Sequence, residues 1–88
     1  MGIKYATPLQ IGKIREGCFQ PADAWLPPTG DELRYLLEEV LALTQEGLAR
    51  YVGVTGRTVR RWVNGETPIA YSVWCVLCID AGLPPIWK

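Results

Sequence analysis

The twenty residues QEGLARYVGVTGRTVRRWVN, positions 45–64, constrain the fold more than any other part of the chain. Two amphipathic helices crossing near a right angle need small residues where their backbones approach and apolar ones where they bury. Ala49 stands where the first helix presses on the second. Gly53 follows that helix, where a sharp turn favours a left-handed backbone. Val59 and Trp62, three apart, face inward together from the second helix, and Leu48 and Val52 supply the matching stripe on the first. Outward on the second helix remain Gly56, Arg57, Thr58, Arg60 and Arg61.

An exposed, basic, short helix behind a tight turn is how helix-turn-helix proteins enter the major groove of duplex DNA. The charge distribution agrees with that use. Net charge is zero, which argues against blanket coating of nucleic acid, yet three arginines crowd into positions 57–61. Up to Leu43 acids outnumber bases six to four; from Thr44 onward bases outnumber acids five to three. The result is a small, aimed positive patch.

With 88 residues, 49% of them hydrophobic, the chain has material for one modest core. The first twenty residues show no continuous apolar run after a basic start, so no secretory signal is expected. No stretch approaches the roughly 18 apolar residues of a membrane span. The three cysteines, Cys18, Cys75 and Cys78, are odd in number, and two share one expected helix. A secreted disulfide scaffold uses an even, spread-out set, so a cytoplasmic protein is expected. Cys75-x-x-Cys78 invites a zinc reading, but zinc wants four ligands and the chain has no histidine. Buried thiols acting as small hydrophobes are the expectation, with no metal and no cofactor.

Residues 1–30 form an N-terminal extension, either an arm or a docked segment, ahead of a domain over residues 31–88. Ile3, Leu9, Ile11 and Ile14 are apolar, Pro8 and Gly12 interrupt, and Pro21, Pro27 and Pro28 punctuate the later half. Phe19 and Trp25 argue that part of the segment is docked. Lys4, Lys13 and Arg15 permit a minor-groove arm without requiring one. From Thr29 the signals sharpen. Thr29 and Glu32 make a capping box, and Leu33, Leu36, Leu37, Val40 and Leu41 recur at helical spacing, predicting a helix over 31–42. Thr44 caps a helix over 45–52, Thr55 or Gly56 caps one running to Val63, and Asn64-Gly65 stops it. Pro68 suits the first turn of a last helix over 69–81, ended by Gly82 and Pro84-Pro85. That helix is apolar nearly all round, so it is expected to be buried on several sides, against the N-terminal segment or a second copy.

Residues 31–82 resemble the lambda-repressor-like superfamily of Cro/Xre-type repressors of phages and plasmids. The resemblance lies in LTQEGLARYVGVTGRTVRRWVNGE, Leu43 to Glu66. Gln45, Ala49, Gly53, Val59, Trp62 and Asn64-Gly65 occupy positions where that family keeps like residues. It implies an all-α, four-helix DNA-binding domain with a helix-turn-helix. RYLL at 34–37, Arg57 with Arg60, and PIAYSV at 68–73 are also similar to the anti-CRISPR-associated repressors of phages, which bind inverted repeats in an operon's promoter. That operon is not carried over to this chain.

The candidate base-reading residues are Arg57 and Arg61, with Thr55, Gly56 and Thr58 beside them. A guanidinium in the first turn can grip guanine O6 and N7 together, and threonine can meet a thymine methyl. Gly56 leaves one position without a side chain. Gln45 resembles the family's phosphate clamp, and Arg60, Asn64 and Tyr71 are further phosphate candidates. Each has a plainer alternative. Arg60, whose face diverges from Arg57 and Arg61, is as readily a solvated charge, and Trp62 belongs in the core. No catalytic arrangement or phosphate loop appears, so an enzyme is not expected. The sequence points to a homodimeric repressor of a phage or mobile-element promoter with a palindromic operator. Two rivals stand beside it: an antitoxin-type module gripping a protein partner through residues 1–30, and a phage recombination or DNA-bending factor.

Overall fold

A computed structural model describes residues 12–88, and these are all helix, turn and loop, with no strand among them. Ile3, Lys4, Pro8, Leu9 and Ile11 lie outside the described residues. Two short 3-10 turns, Glu16–Phe19 and Ala22–Ala24, precede four helices. We label these α1 (Gly30–Tyr35, continuing as a wider π-helical turn over Leu36–Val40), α2 (Gln45–Val52), α3 (Gly56–Val63) and α4 (Tyr71–Asp80).

The caps read from the sequence form. The Thr29 hydroxyl accepts from the Glu32 amide at 3.1 Å while Glu32 Oε1 accepts from the Thr29 amide at 2.7 Å, closing both halves of the box. Thr44 accepts from the Gly47 amide at 2.9 Å. Between α2 and α3, Gly53 adopts φ 77°, a left-handed conformation that a side chain would strain. Beyond α3, Gly65 at φ 77° lets its own amide reach Trp62 O and the Glu66 amide reach Arg61 O, the paired bonds of a Schellman stop.

Three boundaries depart from expectation. The helix predicted over 31–42 starts at Gly30 and widens after Tyr35, where the Leu41 amide reaches five residues back to Leu36 O at 2.9 Å. It ends at Val40, and Ala42 takes φ 52°, turning the chain so that the Leu43 amide meets Leu37 O at 2.8 Å. Along this stretch Leu36 and Leu37 are buried in the core, and Glu38 and Glu39 are exposed. The last helix starts at Tyr71, not at 69: Ile69 is drawn into the core and Ala70 is extended, so Pro68 stays outside the helix. Nor is that helix covered on every side, since Val76 and Ile79 face outward.

One core unites the described elements: Ile14 and Cys18 from the N-terminal segment, Leu33, Leu36 and Leu37 from α1, Leu48 from α2, Val59 and Trp62 from α3, and Trp74, Leu77 and Cys78 from α4. From Ile14 to Trp25 the chain packs on this core, with Phe19 and Trp25 partly buried against it. The Trp25 and Trp74 indoles both donate to the Cys18 carbonyl, at 3.0 and 2.7 Å, and the Tyr71 hydroxyl donates to the Gln20 carbonyl at 3.0 Å. Arg15 is tied down as well. Its guanidinium and its amide both donate to Glu32, and Nη2 also reaches Pro27 O at 2.9 Å, so it is not a spare cation for a minor-groove arm. Lys13 is exposed.

Candidate nucleic-acid interface

Helix α3 is held at both ends and along one side. At its start the Thr55 hydroxyl accepts from the Thr58 amide at 3.1 Å and lies 3.0 Å from the Thr58 hydroxyl. Thr55 is thus the cap, and the two hydroxyls are already paired with each other. Along the inner side Val59, Trp62 and Val63 are buried. At the far end α1 crosses closely: a β-carbon on Gly30 would stand 2.1 Å from the Val63 carbonyl oxygen. With three supports the outward face of α3 has a fixed direction.

That outward face carries Arg57, Arg60, Arg61 and Asn64, all exposed. Their spacing of three, four and seven residues from Arg57 puts them along one side of the helix. Among the described residues neither Arg57 nor Arg60 has a carboxylate within 4.0 Å; Arg61 Nε sits 4.0 Å from Glu66 Oε1. Half of each partner in that last pair is in water, so the contact holds Arg61 only weakly.

Gly56 and Arg60 are linked in a way that their sequence positions did not announce. The Arg60 Nη1 lies 3.4 Å from where a β-carbon at 56 would be. The guanidinium therefore lies back over the first turn, in space that a side chain at 56 would share. Arg60 is thereby drawn towards the start of α3, the turn that carries Arg57.

Gln45, first residue of α2, is half-buried beside Arg34, Leu43 and Val63 in a cleft of about 380 Å³. Arg34 itself pairs with Asp31 at 3.2 Å. Tyr71 is in a different place from the other candidates. Its ring packs edge-on against Trp25 at 4.9 Å and its hydroxyl proton goes to Gln20, which leaves no donor for a phosphate. The cysteines are buried, free thiols. Burial, with Glu32 next to it, pushes the Cys18 thiol up to about 11, and burial pushes Cys78 up to about 12. No cluster of three or more potential metal ligands occurs among the described residues. No described helix is long and apolar enough to cross a membrane.

These features define a compact helical domain that presents one short, well-anchored cationic helix. The chain belongs to the family of the transcriptional repressor protein KorC. Two repressors of that name from Escherichia coli are 45% and 44% identical to it over 78 residues, 85% of this chain and 91% of each relative. No family model matches the chain. No solved structure matches it.

Proposed function

We propose that this protein is a DNA-binding transcriptional repressor, without enzymatic activity, that acts as a homodimer on an inverted-repeat operator of a mobile-element promoter. The observation that carries this reading is the outward row Arg57, Arg60, Arg61 on a helix whose opposite side is locked in the core. Kinship with the KorC repressors supports it. Helices α2 and α3 then serve as a helix-turn-helix, with α3 in the major groove.

Arg57, from the first turn, and Arg61 read base edges, and Gly56 and Thr58 lie against them. Arg60, Asn64 and Gln45 hold phosphates, Gln45 with the α2 amides behind it. Thr55 acts mainly by capping. One module of this size covers only about 600–1,000 Å² of DNA surface, which favours two copies on two half-sites about one helical turn apart. Repression follows by covering the promoter.

Against the antitoxin-type rival stands the burial of Ile14 and Cys18 in this chain's own core, where their apolar surface is not offered to a partner. The test is selection of a duplex from a random pool, followed by titration with Arg57→Ala. Loss of one bidentate guanine contact weakens binding by roughly 1–3 kcal/mol, about 5- to 150-fold, and relaxes preference at one base pair. Equal affinity for parent and variant would mean that Arg57 does not read the operator.

A further inference from the structure

Helix α4 has three sides in different surroundings. Trp74, Cys75, Leu77 and Cys78 face the core, and the side bearing Tyr71 meets Gln20 and Trp25. The third side faces out: Val76 and Ile79 are 44% and 41% exposed, and Trp87 beside them is 48% exposed. With Ser72 they line an apolar groove of about 430 Å³. Single exposed hydrophobics are ordinary, but three on one groove mark a surface with a use.

The charge pattern of α4 says what fits there. Its N-cap is Ala70, which offers no side-chain acceptor, and its first turn holds no acid, so the leading amides lack the usual partner. Its last residue is Asp80, an acid at the end where the helix dipole is already negative. Both faults are corrected at once by a second α4 laid antiparallel across the first, each Asp80 standing over the other's uncapped first turn. The Tyr51 hydroxyl uses Asp80 Oδ2, leaving Oδ1 for that purpose. Bulk is arranged to match. Ser72 is small at the start of the stripe, whereas Ile79 and Trp87 are large at its end, so antiparallel packing sets large against small.

We propose that this face of α4, with Trp87, is where a second copy of the chain docks, the two α4 helices antiparallel about a twofold axis near Val76. The inference rests on the homodimer reading above and names its surface.

The experiment measures mass in solution by sedimentation for the 88-residue chain and for Val76→Asp and Ile79→Asp. The parent is expected at twice 9.8 kDa. Each variant, burying an unpaired carboxylate in the contact, is expected at the single-chain mass until at least about tenfold higher concentration, with its melting temperature as a monomer unchanged. A second measurement does not depend on those variants. Ser72→Cys combined with Ile79→Cys should oxidise to dimers in which peptide mapping finds 72 joined to 79 of the other copy. Undiminished dimer in both aspartate variants, or only 72–72 and 79–79 links, would overturn this face and leave the homodimer standing. A monomeric parent that binds a selected palindrome one copy at a time overturns both. A monomer whose melting temperature drops in Val76→Asp would show the groove filled by the chain itself, and would equally end the proposal.

Discussion

The Arg15 guanidinium grips both oxygens of the Glu32 carboxylate, Nε to Oε2 at 2.9 Å and Nη2 to Oε1 at 3.0 Å, across seventeen residues of chain. Glu32 also takes the amides of Thr29 and Arg15. Burial alone would raise its pKa, but these donors outweigh burial and lower it from an ordinary 4.5 to about 2. A group depressed in this way stabilises the fold above its unfolded pKa and loses that effect as pH falls towards its folded one. The contribution is therefore complete above about pH 5 and disappears between there and about pH 2. It amounts to at most about 3 kcal/mol, an upper figure because half of the Arg15 side chain is in water. Glu32→Gln should remove most of that acid sensitivity and lower stability at neutral pH by about 2 kcal/mol or more, measured by urea unfolding across the pH range. An acid limb that persists unchanged in the variant would locate the responsible carboxylate elsewhere.

The same pair shows where sequence reading reached and where it stopped. Glu32 as one half of a capping box was legible because its partner is three residues away. Its grip on Arg15 was not, since nothing local links positions seventeen apart. Gly53, Gly65, Thr44 and Thr55 were legible because turn and cap chemistry is decided by adjacent residues. The start of α4 was not, because burial of Ile69 overrode the local preference of Pro68. At the candidate interface the outward arginines followed from periodicity, but the position of the Arg60 guanidinium over Gly56 depends on a long side chain's path. Tyr71 had the right chemistry for a phosphate and the wrong neighbours, Gln20 and Trp25, contributed by a segment whose structure the sequence left open.

Gly30 and Val63 give the joint between α1 and α3. A β-carbon at Gly30 would lie 2.1 Å from the Val63 carbonyl oxygen and 2.9 Å from its carbon, both of them backbone that cannot swing aside. Gly30→Ala must push the helices apart, costing about 1–3 kcal/mol or more in thermal unfolding. Because α3 moves with the joint, operator affinity should fall even at temperatures where the variant remains folded. Gly56→Ala is the control for stability alone, since its β-carbon meets only the Arg60 side chain, at 3.4 Å.

Ala42 carries the one left-handed backbone among described residues other than glycine, at φ 52°. That conformation costs a residue with a β-carbon about 1–2 kcal/mol, while glycine returns part of the gain through its freer unfolded chain. Ala42→Gly is expected to raise stability by about 0.5–1 kcal/mol, read as a higher denaturant midpoint with unchanged slope. A lower midpoint would mean that the alanine methyl packs usefully against the cleft it lines with Leu37 and Leu43.

Thr55 separates two roles that the sequence assigned together. Its hydroxyl accepts from the Thr58 amide and pairs with the Thr58 hydroxyl, so in the free protein it acts as a helix cap. Thr55→Ser keeps that oxygen and drops only the methyl, whereas Thr55→Ala drops both. If capping is the main role, Thr55→Ser should match the parent in stability and in operator affinity. Thr55→Ala should lose about 0.5–2 kcal/mol of stability, with affinity falling by a similar or smaller factor at every operator position. A methyl that reads thymine gives the opposite pattern. Thr55→Ser would then be as stable as the parent yet lose preference at a single base pair, a result visible in binding to operators substituted one position at a time.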